Sequence, residues 1–156
     1  MRLFKNIAFI LLGGFLLMFF SFTPEEQFND PQTDGGLAVV VNSKGAPAEM
    51  PLSKLKIILK GEQQRWKDGS KITLALMKTS TGVGEDMAKR IFGMTSKELN
   101  KYFLSQVFQG KMSSPQFFDS EEDLLKYIKN NDGAIGVTSF KNASGTTITV
   151  DGKKAI

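Results

Sequence analysis

Two short apolar stretches decide the fold: LAVVV at residues 37–41 and KITLALM at residues 71–77. The first is apolar at every position, which predicts a strand that is buried on both faces rather than one with a solvent-exposed face. The second predicts another strand, and AIGV at residues 134–137 a third. Helical patterns lie between them. This alternation predicts an α/β fold with a mostly parallel sheet flanked by helices.

Capping residues place the helices. Ser53 is predicted to cap a short helix that Gly61 ends. Thr95 and Glu98 form a capping-box pattern that opens the strongest amphipathic segment, and Ser120 precedes three acidic residues that suit a helix N-terminus. The remaining predicted elements are a helix near residues 85–92, a helix at residues 121–129 and an edge strand at residues 146–150.

The composition limits the chemistry. A chain of 156 residues suits about one domain, and 41% hydrophobic with 23% charged residues is an ordinary globular balance. Cysteine and histidine are both absent, which excludes disulfides, thiolate or imidazole metal sites and nucleophiles that need an imidazole base. We therefore expect no enzyme activity, no metal and no cofactor.

The N-terminal segment predicts export. Arg2 and Lys5 precede residues 7–22, which carry no charge, and this is the pattern of a secretory signal. The stretch is short for a membrane span, and it is either a cleaved signal peptide (residues 1–22) or a retained anchor. Residues 23–36 are a predicted polar linker and residues 37–156 the domain. We expect a periplasmic or cell-envelope location, with inner-membrane anchoring through residues 7–22 if the segment is kept.

The charge argues against a nucleic-acid partner. Removing Arg2 and Lys5 from the 20 basic residues leaves 18 against 16 acidic ones. The basic residues are also scattered, whereas nucleic-acid binding concentrates them on one face. Membrane contact is expected only through the N-terminal segment.

The order of several motifs resembles one family. LAVVVN, a proline-containing loop, LSKLKIILKG, Trp66 and the Asp68-Gly69 turn are followed by Val107-Phe108-x-Gly110, Pro115, the Ser120-Glu121 helix start and DGAIGV at residues 132–137. This series resembles the second lobe of phosphate-type solute-binding proteins of ABC transporters, over about residues 37–153. Those substrate-binding proteins have two α/β lobes that hold an anion between them. The resemblance implies a single periplasmic-binding-protein-like (PBP-like) lobe.

The resemblance also implies a ligand site. Thr81-Gly82 falls where the family places a hydroxyl and a glycine at a helix N-terminus against the oxyanion. Free N–H groups and the positive end of the helix dipole favour an anion there. A single open lobe leaves one side of the ligand in water, so weak binding of phosphate or a similar oxyanion is expected. The candidate ligand-binding residues are Lys78, Ser80, Thr81, Gly82 and Val83.

Two functions fit these observations. One is an exported, non-catalytic solute-binding domain related to phosphate import, with a transporter or envelope protein as a further partner. The alternative is an envelope-tethered protein-interaction module that keeps the fold and binds no small anion. Trp66 is interpreted as a local core plug, whereas Phe117 and Phe118, if exposed, would mark a partner surface.

Overall fold

A computed structural model describes residues 35–156. The predictions for residues 1–22, and nearly all of the linker, lie outside these residues. Six strands and four α-helices follow one another in the described part. They are β1 Leu37–Asn42, β2 Glu49–Met50, α1 Leu52–Leu59, β3 Thr73–Met77, α2 Gly82–Met87, α3 Ser96–Phe108, β4 Gln116–Phe118, α4 Glu121–Asn130, β5 Ala134–Ser139 and β6 Thr146–Val150.

The strands form a single sheet in the order β2-β6-β1-β5-β3-β4. Parallel pairs join β2 to β6, β5 to β3 and β3 to β4, while β1 is antiparallel to both of its neighbours. Five strands therefore point the same way and β1 alone is reversed. This confirms the predicted α/β fold and its mostly parallel sheet, although burial on both faces of β1 gave no information on its direction.

Helix α4 packs across β5, β1 and β3 on one face of the sheet. The close approach depends on Gly136 in β5, since a Cβ atom there would lie 2.7 Å from the Cδ1 atom of Ile128 and 2.5 Å from the Ala75 carbonyl oxygen. A glycine in a strand interior commonly marks such a contact. The apolar strand residues and the helices thus form one continuous core.

The prediction that residues 146–150 form an edge strand is wrong. β6 lies between β2 and β1, and the two-residue β2 is the edge. Ile148 and Val150 of β6 are buried, whereas Thr147 and Thr149 are half-buried. The alternation that suggested an edge comes from one well-covered face and one less covered face of an interior strand.

The cap predicted for α1 is also wrong. Pro51 occupies the N-cap, and Ser53 is already the second helical residue. The first helical amide, that of Leu52, donates to the Asp151 Oδ1 atom at 3.2 Å, so a distant carboxylate replaces the local cap. The end of the helix is as predicted, because Gly61 adopts a φ of 76° just after it.

The caps of α3 and α4 are confirmed. Thr95 and Glu98 form the full capping box, with the Glu98 carboxylate accepting from the Thr95 amide at 2.8 Å. Ser120 Oγ accepts from the Asp123 amide at 3.2 Å. The helix predicted near residues 85–92 begins three residues earlier, at Gly82, and its last turn, Ala88–Phe92, is π-helical.

Trp66 is a core plug, as predicted. Its ring is buried, and its Nε1 atom donates to the Gly133 carbonyl oxygen at 3.0 Å. The bond holds the loop before β3 against the start of β5.

We expect Trp66→Phe to lower the free energy of unfolding by about 1 to 2 kcal/mol, because it removes a buried hydrogen bond and leaves unfilled volume. Urea unfolding followed by circular dichroism measures this, since the variant has no tryptophan to report. Lys67→Ala, at an exposed position of the same loop, is the control, since no hydrogen bond or ion pair involves that side chain within residues 35–156. Equal stability of the two variants would contradict the assigned role of the indole.

Candidate functional site

The candidate site lies where the parallel strands end. The carboxyl ends of parallel strands meet at one edge of a sheet, and ligands of α/β proteins commonly bind there. The loop after β3 runs from Lys78 to Thr81 and leads into α2. The Lys78 amide donates to the Phe118 carbonyl at the end of β4, which joins this loop to its neighbour.

Thr81 shapes the turn into α2. Its backbone is extended, with φ −94° and ψ 154°, and its hydroxyl accepts from the Gly84 amide at 3.1 Å. The same hydroxyl donates to the Lys78 carbonyl at 2.8 Å. The Thr81 side chain is therefore an N-cap whose bonds are already made within the loop, and a ligand would have to share it.

Two backbone amides at the start of α2 remain available. The Gly84 and Glu85 amides are bonded to Thr81, but neither the Gly82 nor the Val83 amide forms a hydrogen bond within residues 35–156. Gly82 is exposed, whereas the Val83 side chain is buried in the core. Val83 can thus serve a ligand only through its N–H group. Orphan amides with the positive end of a helix dipole favour an anion.

The charged groups around the loop are largely paired. Lys78 Nζ lies 2.6 Å from Asp119 Oδ2, and the two side chains are 47% and 75% exposed. Along α2, Glu85 pairs with Lys89 at 3.0 Å, and Asp86 with Arg90 at 3.9 Å. The two acids at the helix start are each balanced one turn later, which reduces their repulsion of an anion.

Helix α3 supports the loop from the other side. Ser96 Oγ donates to the Thr79 carbonyl at 3.1 Å, and Thr79 Oγ1 lies 3.1 Å from Asn100 Oδ1. Ser80, by contrast, is exposed and forms no hydrogen bond within the described part. The predicted residues therefore share one loop. Asp119, the partner of Lys78, and Asn100, the partner of the neighbouring Thr79, come from distant parts of the sequence and carry no local signal.

Glu121 forms a second polar cluster, which the sequence did not predict. Its Oε2 atom accepts from Thr138 Oγ1, from the Ser139 amide at 2.6 Å and from Ser139 Oγ at 2.7 Å. Its Oε1 atom accepts from Asn142 Nδ2 at 2.8 Å. Burial alone would raise the pKa of Glu121, but these hydrogen bonds together hold it below its ordinary value. The carboxylate thus ties the start of α4 to the end of β5.

Two kinds of feature are missing between residues 35 and 156. No helix there combines the length and the apolarity that a bilayer span requires. No cluster of three or more acidic side chains is arranged to hold a metal ion in that part. At the sheet edge that carries the candidate site, the polar groups are therefore backbone amides, hydroxyl groups and charged side chains held in individual ion pairs.

Solved structures resemble this arrangement. A protein described as a phosphate ABC transporter substrate-binding protein from Clostridium perfringens, solved with bound phosphate, has a TM-score of 0.57 at 20% identity, over 77% of this chain and 46% of that one. An ABC-type phosphate transport receptor from Vibrio cholerae has a TM-score of 0.59 at 17% identity, over 78% and 48%. PstS from Borrelia burgdorferi has 0.55 at 16% identity, over 78% and 49%. The sequence matches no protein-family model and no curated protein.

The chain has the PBP-like fold. At these identities the likeness concerns the fold alone. The chain spans about half the length of each of these solved proteins.

Proposed function

We propose that the chain is an exported, non-catalytic solute-binding domain that holds phosphate or a similar oxyanion weakly at the loop from Lys78 to Val83. The observation that carries the proposal is the exposed start of α2, where the Gly82 and Val83 amides have no acceptor within residues 35–156. The fold is shared with proteins described as phosphate receptors, one of them solved with phosphate. In this proposal residues 37–156 form a single lobe.

The proposed division of labour among the loop residues follows from their contacts. The two amides meet the anion, and Ser80 is free to donate its hydroxyl. Lys78 supplies a positive charge once it moves from Asp119, to which it is bonded at 2.6 Å. Because a lysine gives a point charge rather than the bidentate hydrogen bonds of an arginine, discrimination among oxyanions should be modest. The absence of cysteine and histidine from the chain agrees with binding rather than catalysis.

The remaining parts of the proposal concern location and partners. Residues 1–22 direct export or anchor the chain, and residues 23–36 act as a tether. A transporter subunit or another envelope protein would receive the ligand, in keeping with the ABC transporter receptors that share the fold. No cofactor is required.

Gly82→Pro tests the site directly. Gly82 is the first helical residue and follows an extended Thr81, so a proline fits there with little loss of stability, yet it removes an N–H group. Gly82→Ala keeps that group and is the matched control. In calorimetric titrations with phosphate and sulfate, we expect millimolar binding by the wild type and Gly82→Ala, and at least about tenfold weaker binding by Gly82→Pro.

The Lys78–Asp119 pair gives a second test. We expect Asp119→Asn to tighten phosphate binding about two- to fivefold, because it releases Lys78 from an exposed ion pair. Lys78→Met should weaken binding, whereas Lys126→Met, at an exposed position of α4, should not change it. An affinity of Lys78→Met equal to that of the wild type would exclude this lysine from the site.

The alternative function is an envelope-tethered interaction module that binds no small anion. It is favoured by the hydrogen bonds already made by the Thr81 hydroxyl and by the pairing of Lys78. Absence of heat with millimolar phosphate and sulfate for the wild type would decide for the module. Wild-type affinity of Gly82→Pro would place any anion elsewhere.

A further inference from the structure

The outer side of helix α3 carries two large apolar side chains in water. Leu104 is 71% exposed and Phe108 is 91% exposed. They are four residues apart, so they lie on the same side of the helix, away from the buried Leu99 and Phe103. Apolar side chains grouped at the surface in this way mark a contact with another phase or molecule.

Two lysines extend the same stripe. Lys97, Lys101, Leu104 and Phe108 follow one another at steps of four, three and four residues, which places them along one side of α3. Both lysines are exposed, and neither forms a salt bridge within residues 35–156. The nearby Glu98 interacts electrostatically with Lys101, but its carboxylate is bonded to the Thr95 amide and hydroxyl.

The apolar surface continues toward the edge of the sheet. A groove of about 330 Å³ beside Leu104 and Val107 is bordered by Pro115 and Phe117 of the β4 region. Phe117 is 39% exposed, and β4 is an edge strand of the described sheet. The exposed position of Phe117 agrees with the expectation of a contact surface at Phe117-Phe118, while Phe118 is half-buried beside Tyr127.

We propose that the stripe of α3, formed by Lys97, Lys101, Leu104 and Phe108, docks this domain onto the surface of an anionic lipid bilayer. Leucine and phenylalanine side chains enter the boundary between headgroups and acyl chains, and lysines next to them attract anionic headgroups. A protein partner is a poorer match, since the cores of protein interfaces are depleted in lysine. The lysine stems also lie along apolar surface while their charges stay at the headgroups.

Docking through α3 has a consequence for the candidate loop. Asn100, on the same helix, contacts Thr79 at 3.1 Å. The loop from Lys78 to Val83 would therefore be held next to the bilayer surface. This inference does not depend on anion binding by the loop.

A single fluorescent label tests the proposal in the full chain. The sequence has no cysteine, so Leu104→Cys carries one environment-sensitive probe at a unique position, and Lys126→Cys on α4 is the control position. Vesicles consist of phosphatidylcholine alone or of phosphatidylcholine with phosphatidylglycerol. We expect a blue shift of the Leu104 probe with the anionic vesicles only, reduced by salt, and no shift at Lys126. The N-terminal segment is common to both proteins and cannot cause this difference.

Charge reversal provides the matched comparison. Lys97→Glu with Lys101→Glu should weaken the response of the Leu104 probe to anionic vesicles at least about tenfold. Lys126→Glu with Lys129→Glu changes the net charge equally on α4 and should leave the response within about twofold. A probe that stays in water with anionic vesicles, or an equal loss in both double variants, overturns the proposal. A blue shift that grows with protein concentration without vesicles also overturns it, in favour of a second copy covering the stripe.

Discussion

Gly84→Ala is expected to destabilise the protein by about 3 kcal/mol, although alanine is the better helix former. A Cβ atom on residue 84 would overlap the Lys78 carbonyl oxygen, would lie 2.6 Å from the Lys78 carbonyl carbon and would lie 3.0 Å from the Met77 carbonyl oxygen. These are backbone atoms at the end of β3, and they can move only if the strand and α2 separate. Urea unfolding of the full chain, followed by tryptophan fluorescence, measures the loss.

Gly69→Ala is the matched control for this experiment. Gly69 has a φ of 85° but open space around it, so the substitution there adds left-handed strain without overlap, at a cost of about 1 kcal/mol. If helix propensity governed residue 84, Gly84→Ala would instead stabilise the chain by about 1 kcal/mol. A loss no larger than that of Gly69→Ala would show that α2 does not lie so close to β3.

Glu121→Gln is expected to lower the free energy of unfolding by about 2 to 3 kcal/mol at neutral pH. The carboxylate accepts four hydrogen bonds: one from Thr138, two from Ser139 and one from Asn142. A glutamine offers one acceptor oxygen, and its NH₂ group would face donors that are left without a partner. Glu122→Gln is the neighbouring control, since that side chain is exposed, and it should change stability by less than about 0.5 kcal/mol.

The pH dependence of Glu121→Gln gives a second readout. The pKa of Glu121 is lowered from an ordinary value of 4.5: burial opposes the charge, and the hydrogen bonds from Thr138, Ser139 and Asn142 outweigh burial. A lowered pKa means that the carboxylate stabilises the fold above pH 4.5 and loses this contribution as pH falls through its folded-state pKa. The stability gap between wild type and variant should therefore be constant near neutrality and shrink below pH 4.5. A gap that widens in acid would contradict the lowered pKa.

Local patterns were enough to predict most elements. The two-sided apolar stretch at residues 37–41 became the central β1, and the capping box at Thr95 and the N-cap at Ser120 placed the starts of α3 and α4. These features depend on a few neighbouring residues, so the sequence displays them directly. The candidate site at Thr81-Gly82, in contrast, was located through the family resemblance and not from a local pattern alone.

Other features could not be predicted because they depend on distant residues. The reversed direction of β1 is a property of its pairing with β5 and β6, and burial is the same in either direction. The cap of α1 is supplied by Asp151, far along the chain. Glu121 resembled an ordinary first-turn acid, and only the return of the chain at residues 138–142 gives it four donors. Single-sequence patterns do not contain such contacts.

The reversed β1 brings two remote points of the chain together. The Leu37 amide donates to the Ile156 carbonyl at 2.8 Å, and the Ile156 amide donates back to the Leu37 carbonyl at 2.9 Å. Residues 36 and 156 therefore lie close together in the folded domain. Because these two points are adjacent, the domain can be inserted into a surface turn of a host protein, or circularly permuted, without breaking the pairing of its strands.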